Sequence, residues 1–63
     1  MYTMKLKNGK GEILETRKVG TWRDHAVEKF ASVRNLLTRK TTTRFTLELV
    51  DELTGETVAE HTA

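Results

Sequence analysis

Among side chains able to act as nucleophile, base or metal ligand, the chain offers one serine (Ser32), two histidines (His25 and His61) and no cysteine. Nucleophilic catalysis needs a hydroxyl or thiol beside a positioned base, and donors for the oxyanion. Thr21, Asp24 and His25 come nearest to that by spacing. A Thr followed three residues later by Asp is, however, how a helix start is built: the hydroxyl caps free N–H groups and the carboxylate faces the positive end of the helix dipole. Ser32 falls in mid-helix on the polar side. The chain is therefore expected to be no enzyme.

His25 and His61 lie far apart, and neither HExxH nor CxxC spacing occurs, so no metal site and no cofactor is expected. Gly9 and Gly11 form a GxG, yet it lies between two strands and not ahead of a helix N-terminus, where phosphate-cradling loops sit. It is a hairpin turn.

Charge carries more information. Residues 1–44 hold all eleven Lys and Arg against four acids, a net of +7, whereas residues 45–63 hold five acids and no base, a net of −5. Lys5, Lys7, Lys10, Arg17 and Lys18 belong to the first hairpin, and Arg39, Lys40 and Arg44 cluster beyond the helix. Lys7, Lys10, Arg17, Arg39, Lys40 and Arg44 make a candidate phosphate track for DNA or RNA, whose affinity would fall with salt. The low net charge, the acidic second hairpin and the want of an exposed aromatic for base stacking weigh against it. Solvated charge accounts for most such runs.

These residues are positioned by elements that can be read from periodicity. Residues 2–7 alternate apolar with polar, as a half-buried strand does, and Asn8-Gly9 suits a tight turn. With a turn of two or four residues, the return strand over 12–19 places Ile13 beside Met4 and Leu6 and turns Leu14 to the opposite face. Thr21 caps a helix over about 22–38 whose apolar stripe is Trp22, Ala26, Phe30, Val33 and Leu37, widened by Val27 and Leu36. The β-branched run Thr41-Thr42-Thr43 ends it. Phe45, Leu47 and Leu49 mark one face of a third strand over 44–50. Leu53-Thr54-Gly55 fits a three-residue loop with Gly55 left-handed, after which 56–61 returns with Ala59 and His61 on the core face.

The expected architecture is thus α+β, ββαββ, an antiparallel four-stranded sheet with one helix packed on one face, forming a single domain over 1–63. Its core would be Tyr2, Met4, Leu6, Ile13, Trp22, Ala26, Phe30, Val33, Leu37, Phe45, Leu47 and Leu49. One helix covers one sheet face, so the other is left to solvent or to a partner. Leu14, Val50 and Val58, amid Lys5, Lys18, Glu48 and Glu60, are the candidate protein-binding surface.

A chain of 63 residues buries only roughly 60% of its unfolded surface, and without disulfide or metal a second subunit is the remaining support, so a homodimer enters the expectations. Residues 1–5 carry no apolar leader core, and no run approaches the roughly 18 apolar residues needed to cross a bilayer, which points to a cytoplasmic protein without membrane contact. Size, charge and missing catalytic groups are similar in style to the small inhibitors that bacteriophages direct at host enzymes, without a shared motif. The leading expectation is a non-enzymatic protein-binding module, an inhibitor or adaptor of a larger protein; the alternative is a small DNA- or RNA-binding protein.

Overall fold

The computed structural model describes residues 1–40 and 43–62. Its elements are β1 (Tyr2–Asn8), β2 (Ile13–Lys18), α1 (Arg23–Lys40), β3 (Phe45–Asp51) and β4 (Thr57–Thr62). The four strands form one antiparallel sheet in the order β2-β1-β3-β4. The ββαββ order matches the α+β pattern of the sequence. Thr41 and Thr42, expected to end the helix, lie outside the described residues.

β1 and β3 run down the middle of the sheet, and their alternation builds the core. Tyr2, Met4 and Leu6 share a face with Phe45, Leu47 and Leu49, because register places Met4 opposite Leu49 and Leu6 opposite Leu47. Ala26 and Phe30 close this layer from the helix, with Val33 and Leu37 half-buried beside them. The helix backbone approaches β1, β3 and β4 and stays clear of β2 among the described residues. Every residue of β2 is accordingly exposed.

The helix begins one residue later than expected and ends two later. Ala26 N donates to the Trp22 carbonyl at 3.0 Å, so Trp22 and not Thr21 stands at the cap. A cap residue has no helical geometry, and the spacing that put Trp22 one turn ahead of Ala26 does not apply; Trp22 is 72% exposed and outside the core. Val27 and Leu36 are exposed as well, so the buried stripe is narrower than the sequence pattern. At the far end, Thr38 Oγ1 donates to the Asn35 carbonyl at 2.9 Å, the back-bond by which a threonine remains within a helix.

Both edge strands carry a bulge. In β2, Leu6 faces Glu15 while Lys7 faces Ile13, which leaves Leu14 as the extra residue. In β4, Leu49 faces Ala59 while Val50 faces Thr57, which leaves Val58 extra. An extra residue reverses the inward and outward alternation beyond it. Ile13 consequently joins Lys7 on the open face and is 56% exposed, contrary to its expected place in the core.

The turns set these registers. Gly11, not the Asn8-Gly9 pair, holds the left-handed position, at φ 86°, and its N–H donates to the Asn8 carbonyl at 3.0 Å. Asn8 contributes its side chain instead, Oδ1 accepting from Lys10 N at 2.9 Å and Glu12 N at 3.0 Å. The second loop takes residues 52–56, two more than expected, with Gly55 left-handed at φ 75° and its N–H donating to the Asp51 carbonyl at 2.7 Å.

Candidate functional site

The open sheet face does not gather the apolar patch expected of it. Val50 lies there, but it is only 9% exposed, and its cross-strand neighbour Thr3 only 4%. Leu14 and Val58 were expected beside it, and the two bulges take them away. Val58 packs half-buried against the core, and Leu14 lines a recess on the helix side together with Leu6, Leu37 and Phe45.

The polar residues expected on the open face are there, with charges of both signs interspersed. Register sets Lys5 between Thr16 and Glu48, and Glu48 beside Glu60. Lys18 faces Thr3 one row away. Lys7 reaches diagonally to Glu48, Nζ to Oε1 at 2.5 Å, and Thr46 Oγ1 shares a hydrogen bond with Thr62 Oγ1 at 3.3 Å.

The basic residues of the candidate phosphate track are also distributed. Lys7 is on the open face and engaged by Glu48. Arg17 is on the helix side, opposite Met4, with Nη2 2.9 Å from Glu15 Oε1. Lys10 and Arg44 line the helix-side recess together, and Arg39 and Lys40 fill the last turn of α1. No single face carries all six.

A hollow lies beside β2 on the helix side. It arises because α1 rests on β1, β3 and β4 and leaves the helix side of β2 uncovered. Its larger part, about 520 Å³, has Leu6, Leu14, Leu37 and Phe45 as apolar lining and Lys10, Glu12 and Arg44 among its polar groups. A smaller part, about 60 Å³, shares Leu6 and Leu37 and runs toward Met4, Val33, Glu15 and Arg17. The larger volume falls in the range of pockets that take a compact ligand or a buried side chain.

Sequence reasoning missed this hollow because it depends on which strand the helix leaves bare, and that follows from sheet order. The bulge at Leu14 has no signature in the sequence either.

Thr21, Asp24, His25 and Ser32 are all exposed along α1 and its approach. His61 is half-buried, its ring centroid 5.9 Å from that of Phe45 and its strand position opposite Leu47. Among the described residues no group of three or more His, Asp or Glu is arranged to hold a metal ion. No described helix is long and apolar enough to cross a membrane. Neither a protein-family model, nor a curated protein, nor a solved structure matches the chain.

Proposed function

We propose that this chain is a non-enzymatic protein-binding module, an inhibitor or adaptor acting on a larger protein in the cytoplasm, and that it engages its partner through the hollow between α1 and β2. The observation that carries this is Leu14. It is 61% exposed at the lip of a recess lined by Leu6, Leu37 and Phe45, within an edge strand exposed along its whole length. An exposed apolar side chain beside an apolar hollow with charged groups around it is the layout of an interface centre with a polar rim. Lys10, Arg44, Glu12 and Glu15 supply charges of both signs there, which set orientation and association rate more than affinity.

The test compares wild type with Leu14→Asp in affinity capture from a host lysate, with Lys5→Ser on the open face as control. Retention of a protein by wild type and by Lys5→Ser, lost with Leu14→Asp, supports this surface. Equal retention by all three moves the interface elsewhere. Recovery of nucleic acid without protein replaces protein binding by the nucleic-acid alternative, which has Lys10 and Arg44 at one recess in its favour and the engagement of Lys7 and Arg17 by carboxylates against it.

A further inference from the structure

We propose that two copies of the chain associate through β2, edge to edge and antiparallel about a two-fold axis at Thr16, joining their sheets into one of eight strands. The inference stands on main-chain direction and charge order, independently of the recess as a partner site.

Main-chain direction comes first. Val19 N donates to the Tyr2 carbonyl at 2.9 Å, and Tyr2 N donates to the Gly20 carbonyl at 2.8 Å, so the Val19 N–H points toward β1. Along an antiparallel strand these directions alternate, and in β2 beyond its bulge they do so without interruption. Arg17 and Glu15 therefore bond inward to β1, while Thr16 and Lys18 turn their N–H and C=O groups outward. β2 has no strand on that side in the sheet order β2-β1-β3-β4, and nothing in it is buried. An unpaired edge of this kind is a template for another strand.

Charge order then selects the occupant and the register. Only a centre at Thr16 allows a two-fold hydrogen-bonded pair in mid-strand, each Thr16 N–H donating to the Thr16 carbonyl of the second copy. That register sets Glu15 opposite Arg17 of the second copy, and Arg17 opposite its Glu15. Both pairs fall at non-hydrogen-bonded positions, where facing side chains come closest. Shifting the centre by one residue in either direction would set Glu15 against Glu15 or Arg17 against Arg17. Within one copy Glu15 and Arg17 already meet at 2.9 Å with more than half of each side chain exposed, so the dimer closes a ring of four alternating charges on the helix side.

The other edge has no such complementarity. β4, Thr57–Thr62, carries Glu60 and neither Lys nor Arg, and Val58, Ala59 and His61 are half-buried. A two-fold axis perpendicular to the sheet at β2 keeps both helices on the same face, so the two recesses flank the junction and remain open to a third protein.

Equilibrium sedimentation of the full chain, raised to roughly 100 μM where a micromolar dimer is saturated, tests this. Wild type is expected to approach twice its 7.2 kDa mass as concentration rises. Glu15→Arg and Arg17→Glu should each sediment as monomers, their equimolar mixture should form a heterodimer, and the double variant should recover the homodimer. Thr16→Pro, which removes an outward N–H at an edge position that tolerates proline, should be monomeric and still unfold cooperatively. A wild-type monomer across the range overturns the proposal. So does a dimer that survives either charge reversal or Thr16→Pro, or single variants whose mixture stays monomeric. Loss of dimerisation with Leu14-dependent partner capture intact leaves the recess standing; the reverse result leaves the dimer standing.

Discussion

Lys7 Nζ and Glu48 Oε1 lie 2.5 Å apart on the open sheet face, with 29% and 14% of the respective side chains exposed, and so tie the basic first hairpin to the acidic second one. Residues 1–44 and 45–63 carry opposite net charge, and the sheet order sets β1 and β3 side by side. Partial burial reduces solvent screening but adds desolvation cost, which leaves the pair worth on the order of 1 kcal/mol or less. In a double-mutant cycle with Lys7→Met and Glu48→Gln, urea unfolding should give a coupling energy of about 0.5 to 1 kcal/mol that shrinks at high salt. Zero coupling at low salt would show the contact to be incidental.

The helix gives a sharper contrast between two aromatic residues. Phe30 is 5% exposed in the middle of the core, and Trp22 is 72% exposed at the cap. Phe30→Ala should cost roughly 3 to 5 kcal/mol, which a domain of this size barely survives. Trp22→Ala should change stability by less than about 0.5 kcal/mol, as surface substitutions do. Since Trp22 is the sole tryptophan, its fluorescence should be that of an indole in water and change little when the protein unfolds. A strongly blue-shifted emission in the native state would place Trp22 inside the core after all.

That contrast also shows what was legible in the sequence. Period-two alternation in β1 and β3 needs no tertiary information, and the faces of Met4, Leu6, Leu47 and Leu49 emerged as the pattern indicated. The helix and the left-handed Gly55 were equally local. Trp22 failed because periodicity does not say where the first turn begins. Leu14 and Val58 failed for a shared reason: one extra residue in an edge strand reverses every face beyond it, and no side-chain type announces the insertion. The recess lay one level further off. It follows from β2 standing outermost while the helix covers the other three strands, which is a matter of strand order.

The first turn relies on one side chain. Asn8 Oδ1 accepts from two backbone N–H groups, those of Lys10 and Glu12, while Gly11 takes the left-handed conformation. Asn8→Ala leaves both donors to water and should cost about 1 kcal/mol. Gly11→Ala should cost about 1 to 2 kcal/mol through its positive φ, although open space surrounds a Cβ there. Thermal unfolding of the two variants checks this. Equal stability of Gly11→Ala and wild type would show that the loop has an alternative geometry of the same energy.

Leu14 and Val50 reverse the usual relation between size and stability. Leu14 is larger, yet 61% of it is exposed, and Val50 is 9% exposed although it sits on the face without a helix. The difference follows from position: Val50 is in a central strand, flanked by Thr3 on one side and Thr57 on the other, while Leu14 is in the bulge of an outermost strand. Val50→Ala should therefore cost about 1 to 2 kcal/mol, the transfer energy of a buried pair of methyl groups. Leu14→Ala should cost less than about 1 kcal/mol, because most of its surface is already in water. Partner binding should follow the opposite order, falling at least tenfold with Leu14→Ala and little with Val50→Ala, since an exposed apolar anchor loses its contact energy only in the complex. Denaturant midpoints and a titration with the captured partner give both numbers for each variant. If Val50→Ala weakens binding more than Leu14→Ala at matched folded fraction, the interface lies on the open face and the recess beside β2 is only a packing gap.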